Sequence, residues 1–317
     1  MQLITTLLAV TLGAGTSLLY ATLGEIYTER AGILNLGVEG MMMMGALSAF
    51  TVSFYTGSLI LAIVVAMLIG GAMALIHAFL CITMRANQVV SGLSITLFGT
   101  GLASYLGQRL GPASNGKNLV GMTASSFTDY SIPFLEDIPI LSAFFNQDIL
   151  TYTLFLIVPI AWIYMYKTRS GLTLRAVGED PRTAAAMGIS VSKVRYIYTV
   201  IGGMLVGLGG AHLTLGYTPG WSENVTGGRG WIVIALVIFA GWNPGRAIFG
   251  AVLFGGINAI QFRLQAAGTV IPASFLNMAP YIVTVIVLTV MTLLGRKKRG
   301  KFSPPAALGT SFSIEDK

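Results

Sequence analysis

The chain has 317 residues, 54% of them hydrophobic and only 10% Asp, Glu, Lys or Arg, with a mean hydropathy of +0.77; a soluble domain carries roughly 25% charged residues, so most of this chain lies in a bilayer. At about 20 residues per span the length accommodates about eight to ten crossings and leaves no room for a second soluble domain. The net charge of +7 would suit nucleic acid in a soluble protein, but eleven of the 19 basic residues fall in 167–195 and 296–301, so the excess reads as membrane topology and no nucleic-acid partner is expected.

The first apolar run, 3–23, has no Lys or Arg before it, lacks the basic start of a signal peptide and reads as the first span. Further runs fall near 32–55, 59–84, 89–109, 149–166, 196–216, 231–241, 246–262 and 277–295. The segment 167–195 carries Lys167, Arg169, Arg175, Arg182, Lys193 and Arg195 against Glu179 and Asp180, which places it in the cytoplasm. Counting back puts 110–148 and the N-terminus outside and the gaps 24–31 and 85–88 inside. Counting forward brings Arg296-Lys297-Lys298-Arg299 and the C-terminus inside, provided that 231–241 crosses by itself. That run is too short for ~30 Å of hydrocarbon, so a broken or re-entrant helix shielded by protein is predicted there.

The fold expected is therefore an all-α, polytopic transmembrane bundle forming one domain over 1–295. A basic tail, 296–317, follows it, and its 302–317 part, with Pro304-Pro305, is predicted to be disordered. The spacing Gly203-x-x-x-Gly207 predicts close helix packing, and the run Met41–Met44 predicts core filling. Cys81 is single, and His77 and His212 are far apart, so neither a disulfide framework nor a metal site is expected.

No engine is legible. Gly111 to Gly116-Lys117 follows a phosphate-binding loop until Asn118 replaces the required hydroxyl, and no strand precedes it. Without any catalytic or nucleotide motif the chain reads as no enzyme and as holding no cofactor of its own. Its most informative polar stretch runs from Arg175 through Gly178, Glu179 and Asp180 to Ile189. Asp180 suits a helix N-cap and Pro181 the first helical position; Arg182 to Met187, including Ala184, are good helix formers, and Gly188 suits the stop. The predicted helix has about seven residues and is ~10 Å long, too short to be stable alone. It is either a docking element for a separate motor subunit or an ordinary interfacial helix.

Polar residues inside spans are costly and are functional candidates. Glu39 heads them, near Asn35, in a glycine-rich stretch where the helix is expected to break. Ser91, Ser94, Asn258 and Gln261 offer hydrogen bonds to a solute or, equally, interhelical bonds worth ~0.6 kcal/mol each. Trp221, Glu223 and Asn224 flank an outer loop, suited to an external gate or to interfacial anchoring.

The residues Gly24-Glu25 through Glu29-Arg30, Gly32, Asn35, Gly37 and Glu39-Gly40 resemble the N-terminal signature of bacterial ABC importer permeases of the branched-chain amino acid and sugar permease superfamily. The stretch from Leu174-Arg175 through Gly178-Glu179-Asp180-Pro181 and Ala184 to Gly188-Ile189 is similar to that family's coupling segment. A third stretch, Tyr217 to Asn224 with Gly228-Arg229-Gly230-Trp231, resembles the nucleoside-uptake branch. The resemblance implies an inner-membrane permease forming half of a pathway, with a dimer of ATP-binding subunits that hold ATP and Mg²⁺, a second homologous permease, an external lipid-anchored substrate-binding protein, and membrane lipid around it. The residues themselves leave open another solute, such as a simple sugar, a branched-chain amino acid or riboflavin, or an ion-driven secondary transporter with Glu39 as its coupling carboxylate.

Overall fold

The computed structural model describes residues 2–131, 138, 140–269, 272–295 and 303–313. The expectation that rests on the run Arg296–Arg299 lies outside these residues. Six of the described helices are long and apolar enough to cross a membrane, among them Ile4–Arg30, Leu59–Thr83 and Val191–Tyr217. In chain order, α1 (Gln2–Arg30), α2 (Val38–Thr56), α3 (Leu59–Ala78) and α4 (Gln88–Gly107) form the first group. A long loop follows with a two-residue antiparallel pair, β1 (Tyr130–Ser131) and β2 (Asn146–Gln147), and a single turn, α5 (Ser142–Phe145). Next come α6 (Ile149–Lys167), the short α7 (Arg169–Glu179) and α8 (Pro181–Ala186), then α9 (Val191–His212), α10 (Arg229–Ala240), α11 (Pro244–Ala266) and α12 (Ala273–Gly295).

Small residues set the axis of this bundle. α3 lies against α9 so closely that a methyl group on Gly207 would overlap the Ala66 carbonyl, and one on Gly70 the Gly203 carbonyl. A backbone approach of this kind replaces the hydrophobic effect as glue between membrane helices. α1 crosses the other side of α9, with Gly24 on Gly202 and Ser17 near Gly209, so the two run antiparallel. α1 and α11 repeat the device, with Gly255 on Thr11 and Gly15 on Ala251. The set α1, α2, α3 thus runs opposite to α9, α10, α11, with α1 on α11 where α9 lies on α3. Met41, Met42 and Met43 fill the core between these contacts, as their run predicts.

Both sets are broken at their second member. The helix α1 runs on to Arg30, beyond the apolar stretch that suggests a stop at 23, and residues 33–37 are then non-helical before α2 starts at Val38. Backbone inside a bilayer has to find partners within the protein. Here the partners are side chains: Leu34 N donates to Gln88 Oε1 at 2.7 Å, Thr96 Oγ1 donates to Leu36 O at 2.7 Å, and Gly37 N donates to Asn35 Oδ1 at 2.9 Å. His77 Nε2 donates to Leu34 O at 3.1 Å, which leaves Nδ1 to accept from Ser91 Oγ at 2.9 Å. α10 is the second break. Its 12 residues span about 18 Å at 1.5 Å each, little more than half a membrane, as the shortness of 231–241 foretold.

Where composition predicts a disordered tail, residues 303–313 instead take a defined path across the face that carries 167–195. Ala307 N donates to Gly178 O at 2.9 Å and Gly309 N to Gly32 O at 3.2 Å. The Thr310 carbonyl accepts from the buried Arg195 Nη1 at 3.1 Å. A polar, proline-containing stretch lacks a core of its own, but here helix ends and a buried arginine provide its partners.

Candidate functional site

On the face carrying 167–195, called the basic face below, α8 forms as its sequence dictates. Asp180 Oδ1 accepts from Arg182 N at 3.0 Å and Thr183 N at 3.1 Å, and Oδ2 accepts from the Thr183 hydroxyl at 2.5 Å. These bonds, the Thr183 hydroxyl's first, hold the Asp180 carboxyl below its ordinary pKa. Pro181 takes the first helical position, and Gly188 ends the element at φ +82°. The six-residue helix buries its own Ala184 against Val177 and Val191, with Ile189 packed beside them. Its other side, with Arg182 and Met187, is open to the exterior.

The predicted coupling residues divide accordingly. Arg182 and Gly188 are exposed, whereas Gly178 is buried with the Arg30 carbonyl directly over it. Arg175 lies on α7 and stacks on the Tyr166 ring at 5.2 Å. Glu179 faces Arg30 across 3.7 Å. Arg30 also donates from Nε to the Trp242 carbonyl at 3.1 Å, so one guanidinium joins the end of α7 to the end of α10.

Deeper in the bundle the structure brings Asn35 and Glu39 into a closed polar centre. Glu39 is the second residue of α2, and it receives Thr226 Oγ1 at 2.6 Å, Gly228 N at 2.9 Å and Gly230 N at 2.6 Å. The carboxylate thereby satisfies the free amides at the start of α10, where helix N–H groups and their dipole favour an anion. Asn35 Nδ2 donates to Glu25 Oε2 at 3.0 Å, and Trp242 Nε1 donates to Glu29 Oε2. Sequence reasoning missed Glu25 and Glu29, because charges after residue 23 read as a turn. The signal available was their spacing of four, which puts both on one face of a continuing helix. Ser91 belongs to the His77 brace, and Asn258 Nδ2 donates to the Phe254 carbonyl at 3.1 Å. Gln261 is likewise buried. Asn35, Glu39, Ser91, Asn258 and Gln261 are therefore packed inside this conformation.

α4 carries one exposed stripe. Ser94 and Gly101 recur at about two-turn spacing along it with Leu97, Phe98 and Tyr105, and the exposed Gln108 follows just past the helix. At the C-terminal end of α4, Gln108 Nε2 donates to Glu223 Oε1 at 2.8 Å, and Ser104 Oγ donates to the Glu223 carbonyl at 3.3 Å. Asn224 beside it is exposed, while Trp221 is buried against Gly107. The loop 110–148 also closes a cleft of about 390 Å³ between α1, residues 216–218 and α11, lined by Asp129, Asn146, Gln147, Asp148, Tyr217 and Phe262. Asp148 caps α6 and pairs with His212 Nε2 at 3.0 Å. Among the described residues no group of three His, Cys, Asp or Glu is placed to hold a metal.

Residues 7–295 match the profile of the permease component of branched-chain amino acid transport systems. A candidate glucose ABC transporter permease protein of Haloferax volcanii is 39% identical, over 98% of this chain and 98% of its own length. The guanosine ABC transporter permease protein NupQ of Bacillus subtilis is 32% identical, over 91% and 92% respectively. The nucleoside ABC transporter permease protein NupC of Lactococcus lactis subsp. cremoris is 33% identical, over 94% and 93%.

Proposed function

This chain belongs to the family of permease components of branched-chain amino acid transport systems, and from that premise we propose that it forms half of the pathway of an ATP-driven importer for nucleosides. The observation that carries the reading is α8: a capped helix of six residues, seated on the chain's own Val177 and Val191, with Arg182 and Met187 left facing outward, on a chain with no legible nucleotide machinery. In this reading the basic face is cytoplasmic, and a dimer of separate ATP-binding subunits, holding ATP and Mg²⁺, docks on α8. The exposed stripe of α4 lines the path opposite a second, homologous permease. An external lipid-anchored binding protein delivers solute to the outer loop and its cleft.

Work done on α8 has a short route inward. α7 lies under the last carbonyl of α1, Arg30 links Glu179 to the Trp242 carbonyl, and the far end of α10 is held by Glu39 of α2. Closure of the ATP-binding dimer then biases the short α10 and the start of α2, which meet inside the bundle, and this is coupling between distant sites through a bistable element.

Glucose or another simple sugar is the second reading, favoured by the 39% identity to the Haloferax volcanii protein. Both solute classes present a hydroxyl-rich ring. The test is uptake of labelled nucleosides and sugars into cells with and without this chain, once with ATP depleted and once with the proton gradient collapsed. Chain-dependent nucleoside uptake that needs ATP and survives loss of the gradient is the expected result. Sugar uptake alone would move the solute, and uptake abolished by gradient collapse with ATP intact would overturn the ATP-driven mechanism.

A further inference from the structure

α8 is held from the bundle side by Val177 and Val191, which pack on its own Ala184, and against that cluster lies a residue from the far end of the chain, Phe312. The segment that brings it there, 303–313, is anchored at several independent places. Ala307 N bonds to the end of α7 at Gly178 O, Gly309 N to the end of α1 at Gly32 O, and Arg85 Nη2, from the α3–α4 turn, donates to Ser313 Oγ at 2.9 Å. Thr310 O accepts from Arg195, a buried guanidinium of α9 whose Nε also donates to Ala31 O at 3.2 Å. Pro304-Pro305 restricts the approach to extended backbone, and Gly309 turns it at φ +78°, so little freedom is lost when the segment seats.

Phe312 and Ser313 form the ridge between two clefts on the same face. One, about 280 Å³, has Asp180 and Arg182 of the α8 start as its opposite wall. The other, about 310 Å³, is walled by Arg85, Ile189 and Val191. A partner that grips α8 therefore meets the C-terminal segment on both sides of Phe312.

We propose that residues 303–313 are a strap that seats α8 on the helix ends and forms with it one continuous docking face for the ATP-binding subunit. This rests on the docking role given to α8 above. Within that role Phe312 is a positioning residue: it packs beside Ala184 of α8, while the strap's hydrogen bonds hold the segment to the ends of α7 and α1, to the α3–α4 turn and to α9, so that a push on α8 moves the bundle and does not merely displace a loose turn.

The test uses the complete transporter in proteoliposomes, with ATP hydrolysis and solute uptake read in parallel. Phe312→Ala leaves the strap's backbone bonds in place and is expected to lower solute-stimulated hydrolysis and uptake by at least about fivefold, the low end of coupling between sites, at an unchanged amount of permease. Phe312→Leu should restore most of the stimulation. Deletion of 303–317 should act like Phe312→Ala, and a synthetic peptide of residues 302–317 should restore it in trans. Normal stimulation in both the deletion and Phe312→Ala would overturn the strap. The pair Asp180→Lys with Arg182→Glu separates the two ideas: if it uncouples transport while the strap variants do not, only the strap falls; if it also transports normally, the docking role of α8 falls with it.

Discussion

Glu39 is the residue on which the rival mechanisms differ most. In the structure it accepts three donors, the Thr226 hydroxyl and the amides of Gly228 and Gly230, so it acts as a clasp between the start of α2 and the start of the short α10. Glu39→Ala removes the acceptor from all three. Interhelical bonds in membranes average ~0.6 kcal/mol, and a stranded buried donor costs ~1–3 kcal/mol, so the truncation is expected to cost about 2–4 kcal/mol. Glu39→Gln keeps a carbonyl for Thr226 and Gly228 but turns an amide donor toward the Gly230 N–H, and it should cost about half as much. The assay is the temperature at which detergent-purified protein loses its monodisperse peak, together with protease nicking between 218 and 230. Both variants should melt earlier, Ala more than Gln, with nicking enhanced and the solute KM of the surviving folded transporter unchanged. An Ala variant as stable as the parent but with a raised KM would refute the clasp and return Glu39 to the solute path or to ion coupling.

Packing at the helix axis gives a second expectation: Gly207→Val should abolish accumulation of folded protein, because its side chain meets the Ala66 carbonyl, whereas Gly101→Val, with nothing within 4 Å, should fold normally; membrane yield and peak shape decide between them. If α4 lines the path, thiol reagents should label Ser94→Cys and Gly101→Cys, and solute should protect them, while Ser91→Cys, buried beside His77, stays unlabelled; equal labelling of all three would remove the assignment. Asp180→Ala should lower uptake by loosening α8, and Asp180→Asn, which still caps, should retain most of it. The Asp180 carboxyl is held below its ordinary value, so its cap is fully present above pH ~3.9 and is lost only as pH falls through the lowered value. Coupling in the parent should therefore not change between about pH 6 and 8 on account of this residue.

Much of this protein is written locally. The hydropathy runs determine a helical membrane bundle, because a backbone in hydrocarbon has to close its own hydrogen bonds. Asp180, Pro181 and Gly188 specify α8 almost to the residue, since capping is decided within a few positions. The shortness of 231–241 foretold a half-helix. What remained hidden depends on which residues distant in sequence meet. Glu39 reads as a lone membrane carboxylate until residues 226–230 fold back to cover it. Asn35, Ser91 and His77 look like solute ligands or a stray imidazole until the non-helical stretch 33–37 needs partners for its amides and carbonyls. The end of α1 at Arg30 is obscured because charged residues read locally as solvent-facing, whereas Trp242 and Asn35 receive Glu29 and Glu25 inside the protein. The tail was least legible of all: nothing in its composition names Gly178, Gly32 or Arg195 as partners, and only the tertiary arrangement of three helix ends gives a polar, proline-containing segment enough bonds to offset the entropy of ordering it.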